Sequence, residues 1–184
     1  MQSAQLAVSV NERDHFVGPA NAPVTLVEYG DYECPHCARA HPLVHGIRRY
    51  MGDGLRFVYR HFPLSEAHPH AQHAAEAAEA GAAQGRFWEM HDMLFAHRDA
   101  LENEDLLTYL AQAGADIKRA AEELAAGAYT SKVRADFRGG VRSGVNGTPT
   151  FYINGYRYDG NWADTTEFIQ ALQAATSQEH AGAS

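Results

Sequence analysis

Apolar residues alternate with polar ones along two stretches of the chain and recur at helical spacing along most of the rest. Val24-Thr25-Leu26-Val27-Glu28-Tyr29 is rich in β-branched and aromatic residues and stops at Gly30-Asp31, which predicts a strand. Leu55-Arg56-Phe57-Val58-Tyr59-Arg60 alternates apolar with polar and predicts a second strand. Between them, Cys34 to about Tyr50 predicts a helix that Met51-Gly52-Asp53-Gly54 brings to a stop.

From about His68 to Ser143 the period changes. His68–Ala83 is an alanine-rich helical stretch. Phe87, Met90, Leu94 and Phe95 then fall at helical spacing, as do Leu106, Leu107 and Leu110, and later Val133, Phe137 and Val141. Glycines 81, 85, 114 and 127 punctuate them. Such a block is too long to be a simple crossover. After Gly147-Thr148-Pro149 the strand signal returns. Thr150–Ile153 and Tyr156–Tyr158 flank Asn154-Gly155, the preferred pair for a two-residue type I′ hairpin. Phe168, Ile169 and Leu172 predict a closing amphipathic helix. The expected division is a lead-in over 1–22, an α/β domain over 23–66 and 145–175, an inserted helical subdomain over 67–144, and a frayed tail over 176–184.

At 184 residues the chain can bury a substantial core. Its formal charge of -8 argues against a nucleic-acid or anionic-membrane partner, since both recruit clustered Lys and Arg. No apolar run approaches the ~18 residues of a membrane span, so the chain is not expected to be membrane-embedded. The first ten residues carry no basic run ahead of an apolar stretch, the mark of a signal peptide. As it stands the chain is expected in the cytoplasm. A chain stripped of an export signal and given a new Met1 would look the same and would work in the periplasm.

The two cysteines, Cys34 and Cys37, are the informative residues, because their C-x-x-C spacing leaves none for a structural disulfide. A C-x-x-C that follows a strand and opens a helix places Cys34 where unpaired N–H groups and the helix dipole favour an anion. The thiolate is the nucleophile, so this position raises its reactive fraction. Cys37, one turn on, can attack a mixed disulfide on Cys34 and release the substrate. His36 between them can favour the thiolate further, and Pro35 falls in the first turn, where a missing N–H costs little.

Cys34, Cys37, His41 and His45 also read as a zinc pattern, C-x-x-C-x-x-x-H-x-x-x-H. On one helix, however, Cys34 and His45 would lie about 16 Å apart along the axis, too far to share one ion. Glu28, six residues before Cys34, is an unusual carboxylate for a strand. It is either a satisfied edge residue or a partly buried acid that exchanges the Cys37 proton through water. Pro42 lies inside the predicted helix, where a kink would accommodate it. Thr148-Pro149 opens a strand, where a cis bond would be a fixed feature. His68, His70 and His73 form H-P-H-x-x-H, which reads as a polar helix start with capping and packing roles rather than a metal site. The Glu76 and Glu79 pair and the Glu102, Glu104, Asp105 run read as solvated faces and helix starts. Trp88, Met90, Met93 and Phe95 read as core, and His91 and His97 as boundary residues.

Tyr29-Gly30-Asp31-Tyr32-Glu33-Cys34-Pro35-His36-Cys37 resembles the active-site segment of DsbA-like bacterial disulfide interchange proteins. The resemblance extends over Arg60–Leu64, Phe87–His91 and Gly147–Gly155, about residues 15 to 173 in all. It implies an α/β thioredoxin fold with an all-helical insertion between the second strand and the cis-proline hairpin. It also implies that Cys34 is the exposed nucleophile, Cys37 the resolving thiol and Glu28 the buried acid. Pro42 would match the helix-kinking proline and Pro149 the cis-proline. The backbone of Thr148 would pair with a substrate peptide. DsbA itself has Val where this chain has Thr148.

The expected activity is thiol–disulfide exchange with cysteine-containing protein substrates, using the redox-active Cys34–Cys37 pair and no other cofactor or metal. A recycling partner is implied: the thioredoxin or glutathione system, or a membrane quinone-linked oxidase if the chain is exported. A pair near about -120 mV in a cytosol near about -220 mV would be reduced by more than ~3 decades, so the compartment sets the direction of exchange. Two other readings remain: a non-catalytic peptide-binding or regulatory module on the same fold, and a zinc-binding protein.

Overall fold

The computed structural model describes the backbone of residues 4–181 and the side chains of residues 4–176. The described strands are β1 (His15–Val17), β2 (Val24–Gly30), β3 (Leu55–His61), β4 (Thr150–Ile153) and β5 (Tyr156–Arg157). They form one sheet in the order β1-β3-β2-β4-β5. The helices are α1 (Pro35–Met51), α2 (Ala71–Ala82), α3 (Phe87–Ala96), α4 (Asn103–Gln112), α5 (Ile117–Ala125), α6 (Thr130–Ser143) and α7 (Thr165–Ala181). The helical insertion is therefore α2 to α6, between β3 and β4, as expected. β1 lies in the lead-in. Three residues are too few to show a period, and pairing with Phe57–Tyr59 of β3 defines it as a strand. Helix α7 continues to Ala181, and residues 182–184 of the expected tail lie outside the described residues.

By packing, the chain forms two compact units. The first comprises Met1–Tyr29, Arg39–Arg60 and Gly139–Ser184, and the second Gly30–Ala38 with His61–Arg138. In the first, β2 pairs antiparallel with β4, Glu28 opposite Phe151 and Tyr29 opposite Thr150. Both β2 and β3 are buried along almost their whole length, so each is covered on both faces. Phe151 packs on Phe168 of α7 at 5.0 Å between ring centroids, and Tyr29 meets Tyr152 edge-on at 5.9 Å. The hairpin takes the expected form: Asn154 and Gly155 sit at φ of 47° and 85°, the left-handed pair a type I′ turn requires. The Asn154 side chain also accepts the Thr25 N–H at 2.7 Å.

The second unit packs its helices on small residues. Alanines 74, 77, 78 and 80 of α2 are fully buried, as are Met90 and Leu94 of α3 and Leu110 of α4. A Cβ on Gly81 would lie 2.6 Å from Met90 Cγ and 3.1 Å from the Arg86 carbonyl oxygen, so only glycine admits the start of α3. Asp116 caps α5 by accepting the Arg119 N–H at 3.0 Å. Asp105 accepts the Glu102 N–H at the start of α4, as the acidic run there predicts.

Two sequence expectations are corrected in this unit. Glu76 and Glu79 are not on a solvated face; both are buried on α2. Glu79 meets His61 (Oε1 to Nε2, 2.7 Å), and Glu76 accepts from Gln72 and from the Thr130 hydroxyl. His91 is a core residue rather than a boundary one, at 2 % exposure. The partners of Glu79 and Glu76 come from β3 and α6, where helical periodicity along α2 carries no trace of them.

Candidate functional site

Cys34 precedes α1 and acts as its N-cap: its carbonyl accepts the first helical bond, from the Ala38 N–H at 3.1 Å. Pro35 follows at the first helical position, where φ is preset and no donor is needed. The Cys34 side chain is thereby set at the positive end of the helix dipole, and Cys37 lies three residues on. Pro42 lies inside the helix, as read from sequence. Both cysteines are buried thiols, Cys34 at 3 % exposure and Cys37 at 0 %. The exposed nucleophile that the resemblance implied is thus nearly covered, and the exposed part of the motif is Pro35 and His36.

The turn leading to Cys34 is built by Asp31. Its carbonyl accepts the Cys34 N–H at 3.2 Å. Its carboxylate Oδ1 accepts the Glu33 N–H at 2.8 Å, an Asx turn. Oδ2 accepts the Leu64 N–H at 2.8 Å and lies 2.8 Å from His68 Nδ1. The Asp31 side chain is wholly buried, and that of His68 is 20 % exposed. Burial works against a charge on His68. The hydrogen bond and charge of Asp31, with the negative potential of Cys34 and Glu33, outweigh it and raise the imidazole pKa above its usual value. Glu33 in turn accepts the His70 N–H at 2.8 Å. Pro35, Glu33, His68, His70, Arg98 and Glu102 line a cavity of about 370 Å³.

Tyr32, between these acids, points into an aromatic cluster. Its hydroxyl is 3.1 Å from His91 Nδ1, and its ring lies 4.9 Å from Phe95 and 5.6 Å from His91. His91 of the Phe87–His91 segment thus helps hold the turn before Cys34. Phe95 and Met90 are core as expected, whereas Trp88 and Met93 are half-buried.

The other sequence-identified residues belong to the first unit. Glu28 is buried in β2 at 2 % exposure. Thr148 and Pro149 are half-buried and joined by a cis peptide immediately before β4. Pro149 is two residues from Phe151, the partner of Glu28, so one strand pair carries both Glu28 and the cis-proline segment. Cys34, Pro35, His36 and Cys37 stand together in the second unit.

Sequence reasoning missed two features. His68 reads from the sequence as part of a polar helix start. Asp31 reaches it from 37 residues away, a pairing with no local signature. Arg60, at a polar position of the strand predicted over Leu55–Arg60, is 2 % exposed. Asp14 binds it through two 2.8 Å hydrogen bonds, joined by the Tyr29 hydroxyl at 3.0 Å.

A family model described as Thioredoxin matches residues 10–172. A Na(+)/H(+) antiporter NhaA 1 from Salinispora arenicola is 47 % identical over 173 residues, 93 % of this chain and 25 % of that protein. An NhaA antiporter from Herminiimonas arsenicoxydans is 43 % identical over 164 residues, 89 % of this chain and 26 % of that protein. The chain thus spans about a quarter of the length of these curated relatives. Among solved structures, BdbD from Bacillus subtilis superposes with a TM-score of 0.82 at 24 % identity, covering 96 % of this chain and 98 % of its own. A thioredoxin-like oxidoreductase from Silicibacter pomeroyi gives 0.79 at 26 % identity, over 91 % and 94 %. Wolbachia pipientis α-DsbA1 gives 0.80 at 17 % identity, over 97 % and 98 %. The fold is the α/β thioredoxin fold with its helical insertion, as in BdbD and α-DsbA1, and the chain belongs to the thioredoxin family, with a C-x-x-C pair at the start of its first helix.

Proposed function

We propose that the chain exchanges disulfides with cysteines of protein substrates through Cys34 and Cys37. The observation that carries this is the position of Cys34 as N-cap of α1 with Pro35 behind it, in a thioredoxin fold. In the oxidising direction, a substrate thiolate attacks the Cys34 sulfur. The Cys34–Cys37 bond breaks and Cys37 leaves, taking a proton that we assign to the Glu28 carboxyl through water. A second substrate thiolate then attacks the substrate sulfur of the mixed disulfide and expels Cys34 as thiolate. Two electrons pass from substrate to pair; run backwards, the same steps reduce a substrate disulfide. His36 adds to the stabilisation of the Cys34 thiolate, and Thr148 and Pro149 are assigned to hold the substrate backbone.

For compartment, the expectation of work outside the cytoplasm is the better supported. A structural neighbour from Salmonella enterica is described as periplasmic, and the relatives named above are membrane antiporters. None of the described helices is long and apolar enough to cross a membrane. Recycling is assigned to a membrane quinone-linked oxidase in the oxidising case and to the thioredoxin or glutathione system in the reducing one.

Cys34→Ser should abolish turnover of a dithiol peptide, and Cys37→Ser should accumulate mixed disulfides on Cys34. Turnover retained by the first, or no trapped adduct with the second, would sink the assignment. Equilibration in glutathione buffers sets the direction: near about -120 mV the pair is a net oxidant, near about -270 mV a reductant. A pair that never exchanges with glutathione would leave a peptide-binding module instead.

A further inference from the structure

The Asp31 carboxylate is a puzzle for a thiolate enzyme. It is buried, it builds the turn that presents Cys34, and its negative charge opposes the thiolate that exchange requires. His68 lies against it, on the loop between β3 and α2, and lines the same cavity as Pro35. We propose that His68 is a positioning residue: as an imidazolium paired with Asp31, it cancels the charge of the turn-building carboxylate and so keeps Cys34 available as a thiolate. This rests on the exchange activity proposed above and adds a residue to it.

The geometry favours a charge role over simple packing. Nδ1 is committed to Asp31, and the imidazole is partly exposed, so it can take up a proton without a full desolvation cost. The groups that face it from each side are known. Asp31, Glu33 and Cys34 come from the turn before α1, His70 from its own loop, and Arg98, Asp99 and Glu102 from the segment between α3 and α4. Arg98 is engaged with Asp99 at 3.3 Å and with the Glu33 carbonyl at 3.4 Å, which leaves His68 as the cation on the Asp31 carboxylate. In low dielectric, an opposite charge at hydrogen-bond distance neutralises most of the field that Asp31 alone would place on the sulfur.

Linkage supplies a test that needs no substrate and no mutation. If imidazolium and thiolate stabilise one another, each must shift the other by the same amount. In the wild-type protein, the His68 imidazole, followed by NMR against pH, should titrate at a lower pH in the disulfide form than in the dithiol form. Identical titrations in the two forms would overturn the proposal. A second arm follows the Cys34 thiolate by ultraviolet absorbance. His68→Gln should raise its pKa by about one unit and make the pair more reducing, and His68→Lys should restore both. A purely structural role would lower the melting temperature of both variants and leave thiolate titration and potential at their wild-type values. Wild-type exchange that proceeds normally beside an unmoved His68→Gln thiolate would remove this proposal alone. A wild-type pair that never exchanges would remove the activity while the titrations still report on His68.

Discussion

Among the described residues, Arg60 and His68 are each held by a buried aspartate, and the two pairs are built differently. In the sheet-bearing unit, Arg60 meets Asp14 through two parallel hydrogen bonds, and the Tyr29 hydroxyl and the Val8 and Ser9 carbonyls fill its other donors. Burial lowers its pKa, but Asp14 and Tyr29 more than offset that and raise it further, so its charge is fixed at any working pH. In the helical unit, His68 meets Asp31 through one bond and keeps part of its ring in solvent; burial lowers its pKa, and Asp31 outweighs that and raises it above the usual imidazole value. The first pair is a permanent fixture of the fold. The second can change charge, and it stands beside Cys34.

The contrast can be broken most forcefully at Asp14. Asp14→Ala leaves Arg60 buried with only neutral acceptors and should cost about 3 kcal/mol, the lower end for a broken buried pair, because Tyr29 and the two carbonyls still accept. Denaturant midpoints would measure it, and the potential of the Cys34–Cys37 pair should be unchanged. A shift in potential would show that the fixed pair also tunes the site. Tyr32→Phe sharpens the other side of the comparison. It removes the 3.1 Å bond to His91 while keeping the ring in its cluster, and should cost about 1 kcal/mol in the same denaturation experiment. No loss of stability would mean that packing alone anchors the turn.

The two pairs also show what a sequence can and cannot reveal. Residues whose role follows from their neighbours in the chain were legible. Cys34 and Cys37 declare a dithiol by spacing, Asn154-Gly155 declares its hairpin, and a polar Glu28 inside an apolar strand declares itself unusual. The insertion was legible because α2 is alanine-rich and α3, α4 and α6 each carry their own period, whereas α5 (Ile117–Ala125) was not read from the sequence. The buried charges were not. Arg60 occupies the polar position of an alternating strand, and alternation predicts solvent there; Asp14 and Tyr29 converge on it instead. Asp31 read as a strand-ending turn residue, which it is, and nothing local marks its second oxygen as the anchor of His68. Glu79 was misread for the same reason, its partner His61 lying on β3. Partnerships made by tertiary packing leave no period, so charged residues are where pattern reading fails first.

The smallest effect expected is a pH dependence of stability, and its sign separates the two pairs. The His68 pKa is raised in the folded protein, and an unfolded histidine titrates near about 6.5. The stabilisation from the Asp31 pair is therefore fully present below that unfolded value and is lost as pH rises through the higher folded one. Denaturant midpoints of the wild type should fall across this window relative to those of His68→Gln, with both proteins held in the disulfide form so that no thiolate titrates. The other histidines are common to the two proteins and cancel in the difference. Asp14→Ala, compared with wild type in the same way, should show a constant offset, because Arg60 keeps its proton throughout. Parallel curves for His68→Gln and wild type would mean that His68 carries the same charge folded and unfolded, and the distinction between a fixed and a switchable pair would fail.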